Sequence, residues 1–447
     1  MDFCLGLKSY QTDLQVEVVC APRVASGNGA FFTQRQITPT VFSLSGNTED
    51  VVRQIGKGAL ATEQTKTSLK SKIMKWVMSS SPALVAREQL VYLRMKKYKA
   101  QAVALFEKSR PDVVLSLSDR SHDYIESSVL WAAKQAGVKV VLPYVAQYNK
   151  DTALEYRVDG DGNPLPELKP FWPFSLYKLY TYLHLRDQVY RGFFFQAPFV
   201  MNANRRSGTL SAFSWWVGNG NSDVACVDSE HTTGEYLENG VDAEKIRVVG
   251  HISYDDVFRS YKDREKIRRT LVDRYSFDPD KPLIVLSVPQ YAEQGYLGWE
   301  RHWEEINSMM ADTCASDCNV LLSIHPRSDL SQYRYLEDKY SCRIAEERLA
   351  HIIGAGDLFL ASNSTTFHWA VLCGVPSVAL MSPVPFLFGY LETIRTVEPG
   401  AGLLETIHQT LESSSLCFDN DWALLSRDAV FDGRFNERFV QFLNEIC

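Results

Sequence analysis

The chain has 447 residues, enough for two or three domains at roughly 150 residues each. Hydrophobic residues make up 45% and charged residues 23%, close to globular averages, which excludes disordered, fibrous and low-complexity classes. Forty-seven Lys and Arg against fifty-four Asp and Glu leave a net charge of −7, so the basic excess of phosphate-backbone binders is absent and nucleic acid is not an expected partner.

The opening MDFCLGLKSYQTD lacks a basic segment followed by an apolar run, and no window approaches the roughly 18 apolar residues of a spanning helix, so a cytoplasmic location is expected. The nine cysteines are scattered without a framework and read as reduced thiols. Cys314 and Cys318 are four apart, a spacing that would put both on one face if they lay in a helix, but no second His/Cys pair lies near them, so no metal site is expected.

Along the chain, LQVEVVCAP (14–22) reads as a strand and 81–108 as a helix. The run VVLSLS (113–118), a helix with Ile125, Val129, Leu130 and Ala133 at three- and four-residue spacing, a stop at Gly137 and the run VKVVLPYV (138–145) make a βαβ unit. An aromatic-rich block at about 160–215 has the character of an insertion and suits core packing, an acceptor sugar or a membrane surface.

A second unit spans SDVACVDSEHTTGEYLENGVDAEKIRVVG (222–250) and a third begins at KPLIVLSVPQ (281–290). The latter continues through a helix to about 315, strand NVLLSIHPR (319–327) and a short strand near 342–344. A fourth is DLFLASNSTTFHWAVLCGVPSVALMSP (357–383), and 401–447 reads as helical. The alternation predicts an α/β protein of two Rossmann-like doubly wound domains facing a cleft. The boundaries are 1–250 and 251–430, with a C-terminal helix at 431–447 and a hinge in HISYDDVFRSYKDREKIRR.

Side chains at the carboxyl ends of parallel strands face the ligand crevice. His325, Pro326 and Arg327 stand at such an end, and an imidazole and a guanidinium there suit a phosphate. Ser362, Asn363, Ser364, Thr365 and Thr366 fill a strand-to-helix turn where hydroxyls and backbone N–H groups suit an anion. In the other half, Asp119, His122 and Asp123 follow a strand and offer a general base, with Asp119 preferred. His251 and Gln290 close further strands and suit base, ribose or sugar. No GxGxxG or P-loop occurs, which removes the usual dinucleotide and NTPase readings.

The stretch DVACVDSEHTTGEYLENGVDAEKIRVVGHISYDD resembles the interdomain passage of GT-B glycosyltransferases and non-hydrolysing UDP-N-acetylglucosamine 2-epimerases. DLFLASNSTTFHWAVLCGVPSVAL resembles the donor-phosphate loop and following helix of the same superfamily. His325-Pro326 with Ser362 to Thr366 is similar to motifs of bacterial transferases that use CMP-activated sialic acid or Kdo.

The resemblance implies a GT-B glycosyltransferase of bacterial polysaccharide biosynthesis. It would be independent of metal and cofactor, with a nucleotide-sugar as donor and substrate and a glycan or glycolipid as acceptor, working at the inner face of the membrane. His325 and the 362–366 loop would hold the donor phosphate and Asp119 would be the base. An epimerase on a UDP-N-acetylhexosamine is the alternative; the glycine-rich opening of those enzymes is absent, which favours transfer. A non-catalytic glycan-binding or partner-binding subunit is the third reading.

Overall fold

The computed structural model describes residues 19–20, 40–41, 81–121, 124–151, 153–154, 176–381, 386–398, 402–413 and 416–447. Helix α1 (Ser81–Ser109) leads into strand β1 (Val113–Leu115), helix α2 (Tyr124–Ala136) and strand β2 (Lys139–Leu142). Gly137, at φ +71°, ends α2 in the left-handed conformation that a side chain resists. The block read as an insertion supplies helix α3 (Leu176–Leu185), a hairpin pairing 189–190 with 193–194, and helix α4 (Pro198–Ser207). Its aromatics divide: Tyr177, Phe194, Phe195 and Trp215 are buried, while Tyr180 is exposed.

Strand β3 (Val224–Val227), helix α5 (Glu230–Glu238) and strand β4 (Ile246–Val248) complete a four-stranded parallel sheet in the order β1-β2-β3-β4. The passage expected to be a hinge is helical, as α6 (Tyr254–Lys262) and α7 (Arg264–Tyr275). The second sheet holds β5 (Leu283–Ser287), followed by helix α8 (Trp299–Cys314), then β6 (Asn319–Ser323), β7 (Arg343–Ile344) and β8 (Leu358–Ala361). Helix α9 (Thr366–Leu372), strands β9 (Ser377–Leu380) and β10 (Ile394–Val397) and helix α10 (Leu403–Glu412) follow. All six strands are parallel, in the order β7-β6-β5-β8-β9-β10.

The strand cores LIVL and LFLA are buried on both faces, which is why they read as continuous apolar runs rather than alternating ones. One apolar cluster joins the domains, drawing Val141, Val224 and Cys226 from the first sheet and Val285, Leu321 and Phe359 from the second. Helix α11 (Phe435–Ile446) returns to the first domain, with Phe435 and Phe439 in that cluster. Its entry is fixed by Asp255, whose carboxylate accepts from the N–H groups of Phe435 (2.6 Å) and Asn436 (3.0 Å). Among the described residues no helix is long and apolar enough to cross a membrane.

Candidate functional site

In the second sheet the strand order reverses between β5 and β8, and a crevice opens outside the carboxyl ends at such a point. The β5 end carries Gln290 and the β8 end carries Ser362. The Ser362 hydroxyl is buried and has no hydrogen-bond partner within the protein. An unmatched buried hydroxyl is costly, and a ligand group at the switch point would satisfy it.

The rest of the 362–366 loop serves the fold as well. Ser364 Oγ accepts from Thr366 N at 3.3 Å and lies 2.8 Å from Thr366 Oγ1, and Asn363 Oδ1 accepts from Leu387 N at 3.2 Å. Thr365 stands just before a helix of only seven residues and makes no side-chain capping bond to it. Gln290 Nε2 donates to Ser328 Oγ (2.9 Å), which donates to Glu293 Oε1 (2.8 Å), so the loops after β5 and β6 are tied together. His325, Pro326 and Arg327 are exposed on the β6 loop, one strand from the switch point. His325 Nδ1 accepts from Arg327 N at 3.1 Å; partial burial and the Arg327 charge lower its pKa, so the ring is neutral.

Asp119 is not free to act as a base. Its Oδ1 accepts from Gly218 N (2.8 Å), and its Oδ2 accepts from Gly220 N (2.8 Å) and Ser222 Oγ (2.6 Å). These bonds lash the 218–222 loop to the end of β1. A Cβ at Gly220 would stand 2.1 Å from the Asp119 carbonyl oxygen, so the close approach requires glycine. His122 and Asp123 lie outside the described residues.

His251 is also structural. Ser253 N donates to its Nδ1 (3.0 Å), leaving Nε2–H to donate to the Val145 carbonyl (2.8 Å). Burial pushes its pKa down to about 4.

A cluster that the sequence reading passed over bridges the two domains. Asp228 follows β3 and sits just before Ser229, whose Oγ caps α5 by accepting from Thr232 N at 3.2 Å. Asp228 Oδ1 accepts from Thr232 Oγ1 (2.6 Å); Oδ2 accepts from Tyr254 OH (3.1 Å) and pairs with His368 Nδ1 (3.0 Å) on α9 of the second domain. Burial would raise the Asp228 carboxyl, but the bonds from His368 and Thr232 outweigh it and hold it below its ordinary value. His368 Nε2 lies 2.6 Å from Tyr390 OH. Burial and the Asp228 charge keep Tyr390 a phenol, and the imidazole of His368 sits between that hydroxyl and the Asp228 carboxylate.

The Tyr390 ring stacks on His231 at 3.7 Å and 26°. Beside it, Gln147 Nε2 donates to Glu235 Oε1 at 3.1 Å, and His231 Nε2 lies 3.9 Å from the same oxygen without a hydrogen-bond partner. Burial lowers the His231 pKa, with the nearby His368 adding to the effect. Burial raises Glu235 to about 7, against the smaller opposing effects of the Gln147 bond and His368. A carboxyl that titrates near neutrality suits proton transfer. The buried Tyr144 OH and Gln147 Oε1, on the segment after β2, likewise lack partners.

Applied to β3, the strand-end rule that singled out Asp119 and His325 would have reached Asp228. His368, Tyr390 and Glu235 depend on how two domains meet, which no local pattern contains.

The carboxyl ends of two parallel Rossmann-like sheets, facing one another across this cluster, define the GT-B and UDP-GlcNAc 2-epimerase-like fold. The chain is similar to the crystal structure of UDP-GlcNAc 2-epimerase from Neisseria meningitidis bound to UDP-GlcNAc, with a TM-score of 0.50 at 12% identity, over 100% of this chain and 96% of that one. The structure of UDP-GlcNAc 2-epimerase from Methanocaldococcus jannaschii aligns with a TM-score of 0.48 at 12% identity, over 99% of this chain and 95% of that one. No protein-family model and no curated protein matches the chain.

Proposed function

We propose that the chain is an enzyme acting on a nucleotide-sugar, whose sugar it transfers to a hydroxyl of a glycan or glycolipid acceptor with release of the nucleotide. The observation that carries this reading is Glu235, a carboxyl raised to about 7 at the meeting of two domains. In the proposed reaction Glu235 takes the proton of the acceptor hydroxyl as that oxygen attacks the anomeric carbon. The bond to the nucleotide breaks, and the departing phosphate is held by Ser362, Arg327 and the neighbouring hydroxyls of the 363–366 loop. Positioned donors of this kind supply the stabilisation a metal would otherwise give, so turnover is expected to survive chelation.

Epimerisation is the second reading, favoured by a fold shared end to end with an epimerase that binds UDP-GlcNAc. It uses the same cleft, with Glu235 exchanging a proton on the sugar instead of on an acceptor. NMR of the products separates the two. Transfer requires an acceptor and releases free nucleotide, whereas epimerisation changes the sugar with the nucleotide still attached. Failure of UDP- and CMP-linked sugars to react in either assay, with no nucleotide bound, would favour a non-catalytic binding subunit.

A further inference from the structure

Helix α3 presents Leu176, Leu179, Tyr180 and Leu183 to solvent at 62, 37, 42 and 64% exposure, while Tyr177, Thr181 and Leu185 on its other face are buried. The spacing i, i+3, i+4, i+7 makes one continuous apolar stripe, turned outward instead of into the core. Isolated exposed leucines are common, but three on one ten-residue helix with a tyrosine between them mark an interaction surface.

Charge identifies the partner. Helix α1 and the segment 176–207 carry eleven Lys and Arg against three Asp and Glu, a net +8 in a chain whose total is −7. Tyr177 OH donates to Glu88 of α1 at 2.6 Å, which holds α3 against that basic helix. At the stripe itself, exposed Arg205 donates to Tyr180 OH at 3.0 Å, and Arg186 is exposed just past the end of α3. Leucines flanked by a tyrosine and arginines match a lipid interface, where the aliphatic groups enter the acyl boundary and the cations meet phosphate.

We propose that this face docks on an anionic bilayer, with α3 lying in the interface plane. Docking here would bring the enzyme to a lipid-linked acceptor, but the contact needs no substrate and stands or falls separately from the catalytic reading.

The full chain is co-sedimented with vesicles of phosphatidylcholine and of phosphatidylcholine with phosphatidylglycerol, at low and high salt. The comparison variant is Leu176→Gln/Leu183→Gln, whose positions are exposed and whose melting temperature should match the parent. The expected result is binding to the phosphatidylglycerol vesicles alone, released by salt, and weakened at least about tenfold in the double variant. Absence of binding, equal binding to both vesicles or an unaffected variant would overturn the proposal. So would self-association of the parent that the variant loses, without vesicle binding, since the stripe would then be a contact between copies.

Discussion

His368 and Asp228 come from different domains and meet at 3.0 Å with both side chains 1% exposed. A buried carboxylate paired with an imidazole is costly to leave half-made, so this pair fixes how the two sheets face each other. Asp228→Ala and His368→Ala should each destabilise the protein by about 3 kcal/mol, and the double variant by clearly less than the sum. Urea denaturation of the four proteins tests this; strict additivity would mean that the pair does not couple the domains.

Two buried groups should tilt stability with pH in opposite directions. His251 has its pKa lowered from 6.5 to about 4, so the unfolded chain binds its proton first, and stability is lost as pH falls from about 6.5 towards 4. Glu235 is raised from 4.5 to about 7, so the folded state holds its proton longer, and stability is lost as pH rises from 4.5 towards 7. In the parent the two slopes offset. His251→Gln should leave stability falling with pH across this window, and Glu235→Gln should leave it rising. Melting curves at several pH values check the signs; the same slope in both variants would contradict the assignment.

Asp119 should matter for folding rather than for chemistry. Removing a carboxylate that accepts from Gly218, Gly220 and Ser222 leaves three donors unmatched, so Asp119→Ala should cost about 3 kcal/mol. Turnover per folded molecule should persist, measured below the lowered melting point. Complete loss of turnover in the folded fraction would return Asp119 to the base role.

Ser362→Ala separates ligand binding from stability. Because the hydroxyl is buried and unpartnered in the protein alone, its removal should leave the melting temperature unchanged or slightly higher. The rise in melting temperature produced by a bound nucleotide should shrink. A destabilised variant with a full ligand response would place Ser362 in the fold instead.

The βαβ units, and α1, were legible because buried parallel strands are short Val/Ile/Leu runs and the helices between them carry three- and four-residue spacing. The order β7-β6-β5-β8-β9-β10 was not, since pairing of β5 with β8 joins residues about 75 apart. It is this order that puts Ser362 and Gln290 beside the crevice and moves His325 one strand away. Asp119 was correctly placed at a strand end, but its role turned on Gly218 and Gly220, a hundred residues downstream. The raised pKa of Glu235 comes from its burial where the domains meet, opposed by Gln147 on another strand-end segment and by His368 in the other domain, and nothing in HTTGEY announces that burial.

The central claim is a nucleotide-sugar site between the domains, and the most direct test is the melting temperature of the unmodified protein with CMP, CDP, UMP, UDP, GDP and dTDP. A ligand that binds only the folded state stabilises it by about 2.7 kcal/mol at a hundred times its Kd. The account predicts a clear rise with one nucleotide or a related pair. No rise with any of the six, at concentrations well above the millimolar range, would contradict it.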